Sequence, residues 1–510
     1  MLAKVFSAGL EGIDGYPVEI EVDVRKGLPA EVVVGLPDLA VKESKDRVQS
    51  AMLNSGFGYP DDRITVNLAP ADVRKEGPFF DLPIALGVLA ASGQLSCSDL
   101  GDAFIMGELA LTGGIRPLRG LLSVALMARR QGCRRLLVPR QNASEAALVE
   151  GLDVRGVESL AEAVAFLEGR TEVAPAAVDR GGLFRAGAAY PVDLDEVKGQ
   201  AHAKRALEIA VAGGHNLLMI GPPGAGKSML AKRIPTILPE MSMEEALETT
   251  RIHSSVGRIT PGCPLVSGRP FFSPHHSISD IGLIGGGARI RPGVVSLAHN
   301  GVLFLDELPE FKRSVLEVLR QPLEDGEVTI SRAAGSVTYP AAFMLVAAMN
   351  PCPCGYFTDP RRECRCGPGR IRKYMSRVSG PLLDRIDLHV DVPRITYGDM
   401  VSPRPAESSA AVRERVRKAR ALQAGRFAGT GSCVNARMGA KALRKFARPD
   451  REGRELLRRA MEELGFSARG HDRVLKVART IADLGGEPEV GAGHVAEAIQ
   501  YRSLDRESWL

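Results

Sequence analysis

The chain has 510 residues, of which 45% are hydrophobic and 25% are charged, and its formal net charge is +5. A chain of this length and balance is typical of a globular protein with roughly two to four domains. No segment reaches the roughly 18 apolar residues of a membrane span, so we expect a cytoplasmic protein with no membrane partner. Four cysteines occur singly, which argues against a secreted disulfide framework and for a reducing compartment: Cys97, Cys133, Cys263 and Cys433.

The positive charge is unevenly spread along the chain. Residues 401–510 carry 22 Lys or Arg against 14 Asp or Glu, and residues 361–377 carry seven against one. Such basic concentrations favour a polyanionic partner, although a solvated helix face is the commoner explanation of a single charge run.

The first 168 residues predict a mixed α/β domain. Segments that alternate between apolar and polar residues predict half-buried strands, and segments with apolar residues at helical spacing predict helices. The strands are VEIEVDV (18–24) and ITVNLA (64–69), and the helices are AVKESKDRVQSAMLNSGF (40–57) and DLPIALGVLAASG (81–93). A stretch rich in Gly, Ala and Pro follows at 169–191, and its lack of an apolar period predicts a linker.

A second α/β domain is predicted over residues 192–395, followed by a helical domain over 396–510. In the second domain, short apolar runs of the fully buried kind predict strands before Gly221, Asp306 and Asn350. Past about residue 400 no further segment has the pattern of a strand. One helical stripe there consists of Val474, Val477, Ile481 and Leu484.

The strongest chemical signal is GPPGAGKS, which fits the GxxxxGK[ST] pattern between a strand and a helix. Glycines let backbone N–H groups wrap around phosphate oxygens, Lys227 adds a positive charge at the β- and γ-phosphates, and the Ser228 hydroxyl can ligate Mg²⁺. The sequence therefore predicts an ATP site with Mg²⁺. Its loop residues are Gly221, Pro222, Pro223, Gly224, Ala225, Gly226, Lys227 and Ser228.

Two polar strand ends complete the predicted ATP site. GVLFLDE ends in Asp306, which would hold the Mg²⁺ shell, and in Glu307, which would orient and polarise the attacking water. A charged strand end explains either carboxylate alone, but it fits poorly after a phosphate loop. Asn350 closes the next apolar strand, where an amide can contact the γ-phosphate and the lytic water; alone it would be a turn residue.

Over essentially its whole length, the chain resembles the YifB/ComM family of magnesium-chelatase-like AAA+ ATPases. The AAA+ branch to which this family belongs includes the magnesium-chelatase motor subunit and the MCM replicative helicases. The resemblance is carried by DEVKGQAHAKRALEIAVAGGHNLLMIGPPGAGKS, RPFFSPHHSISDIGLIGGG, LAHNGVLFLDELPEF, AAMNPCPCG, LLDRIDLHV and RVLKVARTIADL.

This resemblance implies an AAA+ P-loop ATPase core with a helical lid, assembled as a homo-hexamer that hydrolyses ATP between subunits. It further implies a motor on single-stranded or branched DNA, with helicase activity that promotes branch migration in recombination during natural transformation. The alternative is a motor that remodels a protein partner, as the chelatase subunit does.

The resemblance also implies roles for two arginines. Arg385 takes the place of the arginine finger, which reaches the γ-phosphate held by a neighbouring subunit. Arg469 takes the place of the second sensor, with Arg473 as its rival. By residue type alone, each arginine is equally consistent with an ordinary surface or interface residue, because arginine fingers share no unique local pattern.

The first domain resembles the catalytic fold of Lon protease, which raises the hypothesis of proteolysis. Lon-like proteases need a serine nucleophile and a lysine that takes its proton. KEGPFFDLPIAL puts Phe79 at the serine, and RGLLSVALMARRQG puts Leu122 at the lysine. Neither side chain can exchange a proton, so we expect an interaction or ring-scaffolding module that lacks the catalytic dyad.

Four further cysteines form a CxC-x9-CxC cluster directly after Asn350. Four thiolates suffice for a tetrahedral zinc knuckle over residues 352–366, while an iron–sulfur cluster and uncommitted thiols are the alternatives. These candidate ligands are Cys352, Cys354, Cys364 and Cys366. Nearby arginines suit contact with a DNA backbone, unless the knuckle is a solvated surface feature. These are Arg361, Arg362 and Arg365.

Two segments between and after the phosphate-site motifs are candidates for DNA contact. EVTISRAAGSVTYP (327–340) predicts a hairpin by its alternation on both arms, and SISDIGLIGGGARIRPG (277–293) is the second segment. In helicases of the resembled branch, hairpins at these points line the pore; a structural hairpin with exposed charges is the alternative. The candidate arginines are Arg332, Arg289 and Arg291. His275 and His276 have no third ligand nearby in sequence and predict a hydrogen-bonded loop.

Overall fold

The computed structural model describes residues 1–96, 100–187, 190–260, 262–287, 290–332, 335–357, 359–400, 406–429, 434–464 and 466–502. The chain divides into two compact units. One consists of Met1–Ala186 with Met243–Ser267, and the other of Gly187–Ser242 with Gly268–Leu510. Within the described ranges, no helix combines the length and the apolar character that crossing a bilayer requires.

Among the described residues up to Gly187, the structure contains nine strands and seven α-helices. The strands are β1 (Leu2–Glu11), β2 (Asp14–Arg25), β3 (Ala30–Val34), β4 (Arg63–Ala69), β5 (Ala103–Ile105), β6 (Glu108–Leu109), β7 (Ile115–Arg116), β8 (Arg135–Pro139) and β9 (Asp153–Val157). The helices are α1 (Leu39–Lys42), α2 (Ser44–Asn54), α3 (Asp81–Ala91), α4 (Leu121–Arg130), α5 (Ala143–Ala146), α6 (Leu160–Leu167) and α7 (Arg180–Gly187).

The first unit is built on a seven-stranded mixed sheet of order β3-β4-β2-β1-β5-β8-β9. Alternation along β2 buries Val18, Ile20 and Val22, and helix α3 packs on β1 and β2. This contact requires a glycine at position 87 of α3, because a Cβ there would lie 2.6 Å from Cγ2 of Val22. The strands and helices predicted for the first 93 residues are confirmed.

The second unit contains a five-stranded parallel sheet and two hairpins. The sheet strands are β10 (Leu217–Ile220), β11 (Phe271–Phe272), β14 (Val302–Leu305), β17 (Met344–Met349) and β18 (Leu388–Asp391), and the hairpin strands are β12 (Gly285–Gly286), β13 (Arg291–Pro292), β15 (Glu327–Arg332) and β16 (Gly335–Pro340). The sheet order is β11-β14-β17-β10-β18, with every neighbouring pair parallel. Strands β10, β14 and β17 are fully buried, which explains their uninterrupted apolar sequences.

The helices from residue 201 onward surround this sheet and form the lid, except for α10. They are α8 (Ala201–Gly213), α9 (Lys227–Ile237), α10 (Met243–Ser255), α11 (Asp280–Ile284), α12 (Val294–Leu297), α13 (Arg313–Glu317), α14 (Arg320–Asp325), α15 (Pro368–Met375), α16 (Gly380–Leu383), α17 (Tyr397–Met400), α18 (Ser409–Arg426), α19 (Ala440–Phe446), α20 (Arg451–Leu464), α21 (Ala468–Gly485) and α22 (Ala492–Gln500). The predicted stripe is confirmed on α21, where Val474, Val477 and Ile481 are buried and Leu484 is half-buried.

Two features differ from the sequence-based expectation. The stretch expected as a linker contains helix α7, and residues 243–267, expected in the second α/β domain, belong to the first unit. There α10 packs on α4, Ser254 donates a hydrogen bond to buried Glu145, and its Oγ accepts one from the backbone N–H of Gly120 at 2.9 Å. The apolar spacing of α10 indicates burial, but it carries no information on which domain provides the partner surface.

Candidate functional site

The phosphate-type loop joins β10 to α9, and its lysine is already engaged by polar groups. Lys227 is 8% exposed, and its Nζ donates to the carbonyl oxygens of Gly221 (2.6 Å) and Pro222 (3.1 Å) and to Oδ1 of Asn350 (3.2 Å). Burial lowers the pKa of Lys227 to about 8, although the charge of Asp306 opposes this shift. Asn350, at the end of β17, therefore lies beside the loop lysine.

Ser228 and Asp306 come together from α9 and the end of β14. The Ser228 hydroxyl donates to Oδ2 of Asp306 at 2.5 Å, and Oδ1 accepts from the backbone N–H of Glu307 at 3.0 Å. A hydroxyl and a carboxylate at this separation are the oxygen donors that Mg²⁺ prefers. The residues present therefore fit Mg²⁺, which would neutralise phosphate charge when bound.

Glu307 follows Asp306 in an unusual backbone conformation. Its φ of 53° lies in the left-handed region, which costs a non-glycine residue roughly 1 kcal/mol and is found preferentially at functional sites. The carboxylate is 60% exposed, and its Oε2 lies 3.7 Å from Nδ1 of His276. Glu307 is thus open to solvent, next to one histidine.

His276 is a site residue that the sequence reasoning did not identify. The hydrogen-bonded loop predicted for this pair fits His275, whose Nδ1 lies 2.9 Å from Oγ of Ser277, whereas His276 faces Glu307. One signal was available: this loop directly follows β11, which pairs in parallel with β14. Parallel neighbours end at the same edge of a sheet, so the loop after β11 had to lie near the residues after β14.

Arg385 is almost fully buried. It is 5% exposed, forms an ion pair with Glu324 at the end of α14, and donates through Nη1 to the carbonyl oxygen of Pro381 at 2.5 Å. Its Nε has no hydrogen-bond partner among the described residues. The ion pair with Glu324 is a contact that the sequence context of Arg385 did not reveal.

The two arginines considered for the second sensor have different surroundings. Arg473 forms an ion pair with Asp387, whose other oxygen lies 3.2 Å from Nδ1 of His215. Although burial raises it, Arg473 and His215 hold the pKa of Asp387 well below its usual range. Arg469, about one turn earlier on α21, is exposed. This geometry leaves Arg469, rather than Arg473, accessible to a ligand.

The sulfur atoms of the four-cysteine cluster lie within 4.8 Å of one another. The Sγ–Sγ distances are 3.3 Å for Cys352–Cys354, 3.7 Å for Cys352–Cys364 and 3.6 Å for Cys354–Cys364. A tetrahedral ion with metal–sulfur bonds of about 2.3 Å separates its sulfur ligands by about 3.8 Å. The cluster, which includes Cys366, therefore fits one tetrahedral metal ion.

Backbone N–H groups support the cluster electrostatically. Those of Phe357 and Cys366 donate to the sulfurs of Cys352 and Cys364, each at 3.4 Å. Although burial raises it, hydrogen bonds from the Tyr356 backbone and from Cys352 lower the pKa of Cys354 to about 6. Although the backbone N–H of Cys366 lowers it, burial and the neighbouring sulfurs of Cys354 and Cys352 raise the pKa of Cys364 to about 12. The thiolate is the form that binds metals, so this environment favours that form at Cys354 and opposes it at Cys364.

The arginines of the knuckle are not equivalent. Arg362 lies over the ring of Tyr356, 4.2 Å from its centroid, and donates to its hydroxyl at 2.8 Å. Arg394 lies 5.2 Å from the same centroid. Arg361, Arg362 and Arg365 are all exposed. A polyanion can therefore meet all three, although Arg362 is also held against the ring of Tyr356.

The predicted hairpin at 327–340 is confirmed, and it packs against the β12–β13 hairpin. Arg332 pairs with Gly335 beside the turn, and its Nη2 lies 3.5 Å from the position that a Cβ on Gly286 would take. Tyr339 donates to the carbonyl oxygen of Ile290 at 3.1 Å. Arg332 and Arg291 are exposed, and Arg289 lies outside the described residues. The two hairpins therefore form one surface that exposes arginine.

In the first unit, both positions matched to the protease dyad are occupied by apolar side chains in the core or at its edge. Phe79 is half-buried in the 3-10 turn Pro78–Phe80, and Leu122 is fully buried on α4. Phe80 and Val124, their neighbours, are also fully buried. Both side chains therefore contribute apolar packing to the first unit.

The second unit has the architecture of an AAA+ P-loop ATPase, with a phosphate loop after β10, two carboxylates after β14 and a polar residue after β17. Family models agree: "Magnesium chelatase, subunit ChlI" matches residues 193–400, "Subunit ChlI of Mg-chelatase" matches 20–142, and "Magnesium chelatase, subunit ChlI C-terminal" matches 406–502.

Two curated relatives cover nearly the whole chain. Competence protein ComM of Haemophilus influenzae is 46% identical over 508 residues, 99% of this chain and 98% of that protein. YifB of Escherichia coli K12 is 45% identical over 507 residues, with the same coverage. A peroxisomal Lon protease homolog of Caenorhabditis elegans is 29% identical over 145 residues, 28% of this chain and 18% of that protein. The chain belongs to the YifB/ComM family of magnesium-chelatase-like AAA+ ATPases, which implies ATPase activity with ATP and Mg²⁺.

Proposed function

We propose that the chain is a homo-hexameric ATPase motor that moves on DNA as a helicase and promotes branch migration in recombination during natural transformation. The observation that carries this proposal is the surface formed by the two hairpins, which exposes Arg332 and Arg291 in the unit that holds the ATP site. The name of the Haemophilus influenzae relative supports the link to competence.

A short segment, α14 followed by β15, connects the residue proposed to act in ATP turnover with the residue proposed to contact DNA. Arg385, proposed as the finger acting on a neighbour's γ-phosphate, is bound by Glu324 on α14. Helix α14 ends at Asp325 and leads directly into β15, which carries Arg332 at its far end. Release of Arg385 from Glu324 toward a neighbouring subunit therefore changes the support of the strand that meets DNA.

Within the ATP site, each residue has a proposed part. Lys227 holds the β- and γ-phosphates, Ser228 and Asp306 hold Mg²⁺, and Glu307 orients and polarises the attacking water. Asn350 contacts the γ-phosphate and that water, and Arg469 acts as the second sensor. The contacts of Lys227 with two backbone carbonyls are the interactions that phosphate oxygens would replace.

DNA is proposed to bind through its phosphate backbone. Arg332 and Arg291, with Arg289 from the same segment, would meet phosphates in the pore, and Arg361, Arg362 and Arg365 would meet them at the knuckle. Contacts of this kind depend little on sequence and weaken steeply with salt, because neutralised phosphates release counterions. They suit single-stranded and branched DNA alike.

The four-cysteine cluster is proposed to bind zinc. An all-thiolate tetrahedral site suits Zn²⁺, and the sulfur separations support this assignment. Purified protein is expected to contain about one zinc ion per chain, and changing Cys352 and Cys364 together to Ser is expected to remove it. Metal analysis by mass spectrometry that finds iron, or no metal at all, would contradict the assignment.

The second candidate function is remodelling of a protein partner, as the chelatase motor subunit does. The matches to three magnesium-chelatase family models favour it. One ATPase assay separates the candidates: turnover is measured alone and with single-stranded, duplex and forked DNA. Stimulation by DNA is the result that the motor proposal predicts. Unchanged turnover with every DNA, together with stimulation by a protein partner, supports the remodelling candidate instead.

A further inference from the structure

The four-cysteine knuckle touches the ATP site at three points. The first is Asn350, two residues before Cys352, which accepts the hydrogen bond of Lys227. Cys352 itself is fully buried, so the start of the knuckle is fixed in the core beside that amide. Any change in the path of the chain at Cys352 therefore acts on the partner of the loop lysine.

The second point is a direct contact between the knuckle and the phosphate loop. Gly355 has a φ of 83°, and a Cβ placed on it would lie 2.4 Å from Cδ of Pro223 and 2.8 Å from its Cγ. A glycine is therefore required at this position for both its conformation and its close approach. The knuckle thus packs on the apex of the loop that wraps the phosphates.

The third point runs through Arg394. This arginine forms an ion pair with the buried carboxylate of Asp359 in the knuckle, 3.2 Å from Nε to Oδ2, and lies over Tyr356. Its neighbour Pro393 accepts a hydrogen bond from Nε2 of Gln200 at 2.5 Å, and the same nitrogen lies 3.2 Å from the carbonyl oxygen of Ala225. The far side of the phosphate loop is thereby tied to the strand end that holds the knuckle.

We propose that metal binding by the four-cysteine cluster raises the affinity of the phosphate loop for ATP, so that the knuckle regulates the ATP site. This inference rests on the proposed zinc site and on the proposed ATPase function. The metal closes the loop from Cys352 to Cys366, and a closed loop keeps Gly355 against Pro223. Without the metal, the four cysteines are free thiols and do not cross-link the segment that contacts the phosphate loop.

Thermodynamic linkage supplies the test. If zinc tightens ATP binding by some factor, ATP must tighten zinc binding by the same factor. Full-length Glu307→Gln protein, which would hold ATP without turnover, is titrated with Mg-ATP by calorimetry before and after zinc removal. Zinc affinity is measured separately by competition with a chromophoric chelator, with and without Mg-ATP. Two equal factors of at least about fivefold are expected.

Two glycine variants test the proposal without removal of the metal, so their result does not depend on whether the metal-free protein folds. Gly355→Ala retains all four cysteines, so its zinc content is expected to stay at about one per chain while its ATP affinity falls at least about fivefold. Gly367→Ala is the matched control, because no atom lies within 4 Å of a Cβ at that position. It is expected to change neither quantity.

Equal ATP affinity with and without zinc, or ATP binding by Gly355→Ala within about twofold of the parent protein, would overturn the inference. All these measurements are made without DNA. Failure of the DNA motor proposal, seen as no effect of DNA on turnover, is therefore distinguishable from failure of this one.

Discussion

The two units show different relations between a fold and its chemistry. The first has a Lon-protease-like sheet with Phe79 and Leu122 where a protease needs a nucleophile and its base. The second has an AAA+ sheet in which Lys227 of the phosphate loop donates to Asn350 at the end of β17, and Ser228 donates to Asp306 at the end of β14. A fold can therefore persist without its site, because function resides in a few side chains placed on it.

Burial has opposite energetic consequences for the residues at these positions in the two units. Leu122 removes apolar area from water, so it stabilises the first unit. Lys227 is buried as well, and burial lowers its pKa to about 8, which means that its charged form is destabilised in the folded protein. A charge held at such a cost is a sign of function, whereas a buried leucine needs no explanation beyond packing.

The largest expected effect is that of Arg385→Ala on ATP turnover. Loss of an arginine finger is expected to lower kcat about 10³-fold or more. Because Arg385 is also buried against Glu324, the variant is mixed with Lys227→Ala protein. Partial rescue is expected, since a site can then combine an intact Lys227 with a neighbour's Arg385. No rescue at any ratio would show that Arg385 acts inside its own subunit.

Glu307→Gln is expected to lower turnover by about 10²- to 10⁴-fold, because the attacking water loses its polarising carboxylate. ATP binding should remain, since Lys227 and Ser228 are unchanged, and equilibrium titration with Mg-ATP measures it. Retained turnover in the Gln variant would remove Glu307 from the proposed site and weaken the contrast between the units.

Leu122→Ala tests whether position 122 has a packing role in the first unit. Truncating a fully buried leucine is expected to cost about 2–5 kcal/mol of the stability of that unit, measured by hydrogen exchange in β1 and β2. Leu111→Ala is the matched control, because Leu111 is 55% exposed and its truncation should cost less than about 0.5 kcal/mol. Equal effects of the two truncations would refute a packing role for position 122.

The smallest expected effect is that of Arg332→Ala on DNA binding. Removing one phosphate contact is expected to reduce the slope of log affinity against log salt by about one per engaged subunit, with little dependence on DNA sequence. Arg25 in the first unit, whose side chain is 79% exposed, supplies the control Arg25→Ala. An unchanged slope for Arg332→Ala would move the DNA surface away from the hairpins.

Local sequence patterns predicted individual strands and helices, but they did not predict which distant residues these elements contact. The apolar runs before Asp306 and Asn350 predicted buried strands, and the alternation on both sides of Arg332 predicted its hairpin, because periodicity reports burial directly. Contacts between distant segments have no such signal. Neither the pairing of Arg385 with Glu324 nor the placement of α10 in the first unit follows from any local pattern. Arg473, one of the two candidates for the second sensor on the same helix, could be set apart only by its contact with Asp387.

The proposed function is tested most directly with a mobile four-way DNA junction incubated with protein, ATP and Mg²⁺. Resolution of the junction into its two duplex products by the wild-type protein, and not by Glu307→Gln, is the result that a branch-migrating motor predicts. A wild-type protein that binds the junction and hydrolyses ATP, yet leaves the junction intact with turnover unchanged by any DNA, would contradict that function.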